Sequence, residues 1–496
     1  VSSLPTTLYR AEQCRELDRS AMAQHGLGDG ILMARAGKAA FRHLRSRWPD
    51  ARRIVVVAGA GNNGGDGYVV ARLALEAGLE PVAVYIGDLA RQQGDALAAR
   101  QQAEGAGVTI QPFRKELLAH ADVVVDALFG TGLERAVEGD WRDAIEAMNG
   151  CGAAIQALDI PSGLHADSGR VLGVAVRADQ TVCFIALKAG MVTADGPDYC
   201  GEIEFDDLDV PEETWRAMTP HATRITAETV TGLLQPRPHN THKGEAGRVL
   251  IVGGGPGMAG AAQLAGVAAY RAGAGLVTVA TISEHATVLS VAHPELIVHA
   301  VDDRAALQAL AVRADVVAIG PGLGQSPWAQ DLFAAVLELH RPTVVDADAL
   351  NLLAREPWQA DYWVLTPHPA EAARMLRCTT ADIQANRYEA AQALVEAYGG
   401  VVVLKGAGTI VATHDVLAVC DAGHPVLATA GTGDVLTGVI ASLMGQGLAP
   451  WDAARMGVFV HARAGELLGR EGARGGMASD LVLLVRRVVN GLVDGD

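Results

Sequence analysis

The sequence predicts an α/β protein of two domains, and three observations carry that expectation. ARRIVVVAGAGNNGGDGYVVARLALEAGLEPVAVYIG, from Ala51, reads as an apolar strand, a Gly-rich turn, an amphipathic helix and a second strand, which is a βαβ unit. RVLIVGGGPGMAGAAQLAGVAAYRAGAGLVTVAT, from Arg248, repeats strand, Gly turn, small-residue helix and strand. The 496 residues exceed what one hydrophobic core usually serves, and 50% apolar residues is ample to fill two. Between the units the chain turns polar and carries Pro211, Pro220, Pro236 and Pro238. The boundary is therefore placed near Met218 to Ile225, with domains at 1–220 and 221–496.

In chain order, LYRAEQCRELDRSAMAQHGLGDGILMARAGKAAFRHLRSRW shows apolar residues at helical spacing with two Gly breaks. It reads as two helices serving as packing or as an oligomer face, and a homo-oligomer is expected. In the first βαβ turn, Gly59, Gly61 and Gly64 have the spacing of a dinucleotide fingerprint, but the turn continues as Asn62-Asn63-Gly64-Gly65-Asp66-Gly67. A loop that only turned would have little use for three polar side chains, whereas one cradling a phosphate and an ion would. ADVVVDALFGTGL and AAIQALDIPSGL are apolar runs that end in an acid and then a Gly-containing loop. Ligands of open α/β sheets bind at the carboxyl ends of strands, so Asn63, Asp126, Asp159 and Ser162 should converge there. Taken singly, each is equally readable as a helix cap or turn former. TVCFIALKAGMVTADG adds a strand ending at Lys188, a cation to face these acids or a solvated surface lysine.

The second half continues with ADVVAIGPGLG, RPTVVDADALNLL, WVLTPHPAEAARML and VVVLKGAGTIVA, strands that each end in small or polar residues. Asp346, Asp348, Asn351 and His368 then lie near one sheet edge, although a histidine flanked by prolines is usually a loop polar group. Lys405-Gly406-Ala407-Gly408-Thr409 joins a cation, glycines and a hydroxyl directly after a strand, which suits a diphosphate. It lacks the order of a Walker loop, which excludes a P-loop ATPase. Ala430-Gly431-Thr432-Gly433-Asp434 opens an apolar helix, VLTGVIASLMGQG. Its glycines and helix start suit a phosphate. A carboxylate there would repel a resting phosphate, so Asp434 makes sense as a base for an attacking hydroxyl. The bland alternative is an Asp N-cap.

The longest apolar runs, such as LVLLVRRVV, fall short of the roughly 20 residues of a membrane span. No membrane partner is expected. Val1 to Arg10 lacks a basic start followed by an apolar run, so no secretory signal is read. Cys14, Cys151, Cys183, Cys200, Cys378 and Cys420 are scattered without CxxC spacing, against a disulfide framework or a zinc site. A cytoplasmic location is expected. The net charge of -17 disfavours nucleic acid as a partner but allows anionic metabolites held by backbone amides and single lysines.

GNNGGDG, VDALFGTGL, LDIPSG and the strand ending in ALKAG resemble, in order and spacing, the NAD(P)H-hydrate epimerase domain across residues 8–215. The resemblance implies that Asn62, Asn63, Gly64, Gly65 and Asp66, with Gly130, Thr131, Gly132, Leu133, Glu134, Arg135 and Ala136, bind the hydrated dinucleotide together with Asp159. It implies K+ on Asn63, Asp126 and Ser162, whose oxygen ligands suit a hard cation. It also implies Asp159 and Lys188 as the acid–base pair, and a Rossmann-like open sheet as the fold.

HKGEAGRVLIVGGG, GPGLG, VVDADALN, TPHPAE, LKGAGT and AGTGDVLTG resemble the ADP-dependent NAD(P)H-hydrate dehydratase domain of the ribokinase-like superfamily, across residues 225–492. The whole chain thus resembles the bifunctional bacterial NAD(P)H-hydrate repair enzymes. The pattern implies ADP on Lys405, Gly406, Ala407, Gly408, Thr409 and Gly433, and the hydrate on Ala261, Gly322, His368 and Asp434, with Asp434 as catalytic base and Mg2+ on the diphosphate. Two positions depart from it: Met258 stands where an aromatic is usual, and His424 precedes Pro425 where Asn is commoner. Hydroxide is a poor leaving group from C6 of the reduced nicotinamide ring, and phosphorylation would make it a good one. Only one C6 epimer would fit such a geometry, so an epimerase on the same chain has a use. The competing expectations are a vitamin-type kinase that keeps its phosphorylated alcohol, joined to a binding domain, and a noncatalytic metabolite sensor.

Overall fold

The computed structural model describes residues 4–28 and 30–494, and divides into units at Val1–Thr223 and Arg224–Asp496. In the first unit, β1 (Arg53–Ala58), β2 (Glu80–Tyr85), β3 (Thr109–Pro112), β4 (Val123–Ala127), β5 (Ala154–Leu158), β6 (Gln180–Phe184) and β7 (Glu202–Asp206) form one sheet. The order is β3-β2-β1-β4-β5-β6-β7 and every pairing is parallel. A sheet covered by helices on both faces needs strands that are apolar throughout rather than alternating. RIVVVA shows the result: Ile54, Val56 and Ala58 enter one core with Leu44 and Val70, while Val55 and Val57 enter the other with Ile145 and Met148. Strand order reverses between β1 and β4, and a crevice at their carboxyl ends follows from that switch.

The first helices are α1 (Ala11–His25) and α2 (Ile31–Arg47), separated by Gly26 and Gly30 with φ of 65° and 79°. Beyond β1 runs α3 (Asn62–Glu76). It packs on α2 so closely that a Cβ on Gly37 would stand 2.4 Å from Val69 Cβ. The strand expected to end at Lys188 stops at Phe184, and Lys188 instead leads a short turn, Ala189–Val192.

The second unit holds β8 (Arg248–Val252), β9 (Leu276–Thr281), β10 (Ile297–Ala300), β11 (Val316–Ile319), β12 (Thr343–Val345), β13 (Trp363–Leu365), β14 (Val401–Leu404), β15 (Thr409–Ala412) and β16 (Leu417–Cys420). Their order is β16-β15-β14-β13-β12-β11-β8-β9-β10, parallel except for the β14–β15 and β15–β16 hairpins. Its helices include α6 (Ala259–Arg271), α7 (Ala347–Arg355), α8 (Pro369–Leu376), α9 (Arg387–Tyr398) and α10 (Thr432–Gly445), while α4 (Gly94–Ala106) and α5 (Asp140–Gly150) belong to the first unit. The small residues of α6 permit close helix packing: a Cβ on Gly438 of α10 would stand 2.0 Å from the Ala265 carbonyl oxygen. Gly260 has open space around it and takes no part in that contact. No helix among the described residues is long and apolar enough to cross a membrane, and all six cysteines are free thiols.

Candidate functional site

A cleft of about 690 Å³ opens at the carboxyl ends of the first sheet. It is lined by Asn62, Asn63 and Asp66 from the start of α3, by Gly130, Thr131, Gly132, Leu133, Glu134 and Arg135 after β4, and by Asp159 and Lys188. Other expected residues stand outside its lining for steric reasons. A Cβ on Gly64 would stand 2.1 Å from the Gly59 carbonyl oxygen, and one on Gly65 would stand 2.6 Å from Met33. These two glycines let α3 pack against β1 and α2, so any contact with a ligand falls to their backbone. Ala136 is exposed beyond the cleft residues.

Asp126 and Ser162 lie beneath the cleft, both buried. Asp126 accepts from the Ser162 hydroxyl at 2.6 Å, from its backbone N–H at 2.8 Å and from Leu128 N at 3.3 Å. Burial pushes the Asp126 carboxyl up to about 6 against the pull of those hydrogen bonds. Asn63, 7% exposed, donates through Nδ2 to the Phe129 carbonyl at 3.0 Å. Its Oδ1 is buried with no hydrogen-bond partner among the described residues. An orphaned buried acceptor is costly, and one beside a carboxylate, a hydroxyl and a carbonyl is a donor set that a hard cation would satisfy.

Asp159 has φ of 67°, a left-handed conformation rare for a residue with a Cβ and seen at functional sites. Its Oδ1 accepts from Lys188 Nζ and from Phe184 N at 3.3 Å. Lys188 is 1% exposed, and its ammonium also donates to Cys183 Sγ at 3.3 Å and to the Phe184 carbonyl at 3.2 Å. Burial opposes the charge most strongly, but Asp159, with Cys183 and Cys14, together outweighs it and holds the lysine above its ordinary value. All three donors of the ammonium are thus committed. Sequence reasoning missed the α1 residues of this cleft, Cys14, Arg15, Asp18 and Met22. The available signal was an acid placed among apolar residues on a helix read as packing.

In the second unit, Lys405 follows β14 and Asp346 caps α7. Asp346, 1% exposed, accepts from Lys405 Nζ at 2.8 Å, Thr366 Oγ1 at 2.8 Å and Thr437 Oγ1 at 2.7 Å. Burial would raise its carboxyl, but Lys405 and the two hydroxyls more than offset that and hold it below the usual range. Lys405 also faces Glu371 at 4.0 Å. The loop from Gly406 to Thr409 is shaped by a residue with no sequence signature. Buried Arg387 of α9 donates to the carbonyls of Leu404 at 3.1 Å, Lys405 at 3.2 Å and Gly408 at 3.4 Å. Gly406 must lack a side chain there, since its φ is 141° and a Cβ would stand 2.8 Å from the Arg387 guanidinium.

Gly433 faces this loop, a Cβ on it falling 3.4 Å from Lys405 Nζ. The cap of α10 is Gly431, with φ of 89°, and Asp434 lies inside the first turn, so the N-cap reading of Asp434 is removed. Its carboxyl has no hydrogen bond or ion pair among the described residues. Burial, reinforced by Asp346 and opposed by Lys405, pushes it up to about 7. Gly322 and Ala261 adjoin across the sheet edge, a Gly322 Cβ falling 3.0 Å from Ala261 Cβ and 2.7 Å from the Met258 carbonyl oxygen.

His368 caps α8: Nδ1 accepts from Ala370 N at 3.0 Å and Glu371 N at 3.4 Å, while Nε2 lies 3.4 Å from Glu371 Oε1. His424 does what an Asn before the proline would do, its Nδ1 accepting from Val426 N at 3.2 Å. Asp348 and Asn351 are tie points, accepting from Gly324 N at 2.8 Å and Arg374 Nε at 2.7 Å.

Residues 249–485 match the family model described as NAD(P)H-hydrate dehydratase, and residues 29–190 match that described as YjeF-related protein N-terminus. The chain is 45% identical to the bifunctional NAD(P)H-hydrate repair enzyme Nnr of Coxiella burnetii, over 98% of this chain and 100% of that protein. It is 44% identical to the protein of the same name from Escherichia coli, over 98% of this chain and 95% of that one. A hypothetical protein of Streptococcus mutans with a solved structure aligns at a TM-score of 0.50 and 31% identity, covering 54% of this chain and 99% of that one.

Proposed function

The chain belongs to the family of bifunctional NAD(P)H-hydrate repair enzymes, and from that premise we propose how its two units divide the work. The first unit interconverts the R and S hydrates of NADH and NADPH. The second dehydrates the S form at the expense of ADP, giving NAD(P)H, AMP and phosphate. The observation that carries this reading is the unpaired, up-shifted carboxyl of Asp434 beside a lysine and a glycine loop.

At the second site, Lys405 through Thr409 and Gly433 hold the diphosphate. Ala261, Gly322 and His368 hold the hydrate. Asp434 takes the proton of the C6 hydroxyl, whose oxygen attacks the terminal phosphorus of ADP while AMP leaves. Amides of the Gly431 to Gly433 turn stabilise the transferring phosphoryl group. The ring-nitrogen lone pair then expels phosphate, and loss of a C5 proton restores the dihydronicotinamide. Bound Mg2+ supplies positive charge to the diphosphate. Among the described residues no group of three His, Cys, Asp or Glu side chains is poised for a metal.

At the first site, the residues from Asn62 to Asp66 and from Gly130 to Ala136 hold the hydrated dinucleotide, and Asp159 with Lys188 faces the C6 hydroxyl. Potassium on Asn63, Asp126 and Ser162 would supply a charge that satisfies the orphaned Asn63 Oδ1 and fixes the Phe129 loop. Replacing K+ by a bulky organic cation is then expected to slow epimerisation and leave dehydration of the S hydrate unchanged. Unchanged epimerisation after rigorous removal of K+ and Na+ removes the ion from the mechanism.

The reading as a whole is tested by incubating mixed hydrates with ADP and Mg2+ and following reduced-nicotinamide absorbance. Full recovery from both epimers with release of free phosphate supports it. A stable phosphorylated alcohol would point to the kinase alternative instead, and absence of any turnover would point to the sensor. A homo-oligomer in the cytoplasm completes the proposal.

A further inference from the structure

The pair described in the epimerase cleft, Asp159 and Lys188, supplies a base and a positioning cation but no proton donor. Lys188 has its three N–H groups on Asp159, Cys183 and Phe184, and its charge is held in place by the carboxylate beside it. We infer that Asp18, on α1, hands a proton to the C6 hydroxyl of the bound hydrate, with Asp159 as the partner that takes a proton from the water returning to the opposite ring face. This rests on the epimerase reading of the first unit.

Three features of the fold lead there. Cys14, Asp18 and Met22 recur every fourth residue of α1 and line the cleft together, as one face of a helix does. Cys14 and Met22 have an apolar reason to be on that face. Asp18 has none, and its carboxyl has no hydrogen bond or ion pair among the described residues. Second, α1 is stitched to the turn that carries Lys188. Tyr9 N donates to the Leu187 carbonyl at 2.9 Å and Ala189 N to the Tyr9 carbonyl at 3.0 Å, and Tyr9 and Lys188 form a parallel bridge. The acid on the helix and the ion pair on the turn are therefore held in one register. Third, burial, reinforced by Asp159 and opposed by Lys188, brings the Asp18 carboxyl up to about 6, so that a protonated fraction is present near neutrality. Asp66, another unpaired carboxyl lining the cleft, is raised well above the usual carboxylate range by burial, with Asp159 and Asp18 adding to it.

The step balances without an oxidant or reductant. The Asp18 proton goes to the C6 hydroxyl oxygen, the C6–O bond breaks with the pair leaving on water, and the ring nitrogen supplies the pair that makes N1=C6. Water then adds to the other face of C6, its proton passing to Asp159 and the electron pair returning to nitrogen. One proton has moved from Asp18 to Asp159, and exchange with solvent resets the pair.

The test uses the full-length chain with Asp18→Asn, R hydrate as substrate and S-hydrate dehydration as the internal control. Epimerisation kcat is expected to fall by about 10² with little change in KM, S dehydration to be unaffected, and Asp18→Glu to restore part of the rate. In ¹⁸O-water the wild-type protein should place solvent oxygen on C6 once per inversion. Epimerisation by Asp18→Asn close to the wild-type rate overturns the inference, as does a loss confined to KM. Should Asp18→Asn be poorly folded, Asp18→Ala with added formate decides: saturable rescue supports proton donation and none refutes it. A wild-type protein that fails to epimerise at all sinks the reading of the first unit instead.

Discussion

Asp434→Asn is expected to lower dehydration by about 10² or more while ADP affinity persists or rises and epimerisation continues. The side chain keeps its size, and α10 keeps its cap, because that cap is Gly431. What the variant removes is a carboxyl with no partner at rest, held at about 7 by burial and by Asp346. A raised carboxyl is in its basic form only above that value, so wild-type dehydration should climb as pH rises through about 7, and the variant should lose the climb. Loss of a negative charge beside the phosphates accounts for affinity that does not fall. Three numbers on one variant check the assignment: ADP affinity, phosphate release rate and interconversion rate of the epimers. Near-normal phosphate release returns Asp434 to a structural role.

The α/β class, the two open sheets and the βαβ units were legible because a parallel sheet writes itself as apolar runs punctuated by glycine turns. RIVVVA and RVLIV have no polar alternation to confuse them. Convergence of Asn63, Asp126, Asp159 and Ser162 was equally legible, since each lies at or just beyond the carboxyl end of a strand that faces the same crevice. The division of labour among glycines was hidden. Gly64 and Gly65 read as ligand contacts but are small because Gly59 and Met33 press on them, a contact set by tertiary structure. Arg387 was unreadable for the same reason: its carbonyl partners at Leu404, Lys405 and Gly408 belong to a different element. Asp18 had a local signal, an acid in an apolar helical stripe, but a helix at the head of the chain invites a packing explanation.

The ion pair at the first site makes the other large prediction. Lys188→Ala is expected to reduce epimerisation by about 10² to 10⁴ and to spare dehydration of the S hydrate, because Asp434 and Lys405 belong to the other unit. Truncation removes the charge that orients Asp159, and leaves Asp159 Oδ1, Cys183 Sγ and the Phe184 carbonyl without their shared donor. Breaking a buried pair by removing one partner costs about 3 to 5 kcal/mol, so part of the effect could be loss of fold. Lys188→Met separates the causes, since it refills the volume and restores no charge. Both variants should show equally low epimerisation, with Lys188→Met melting nearer the wild-type temperature. Recovery of epimerisation in Lys188→Met would make packing, not charge, the lysine's contribution. Dehydration falling in step with epimerisation in a folded variant would overturn the assignment of the two activities to separate sites.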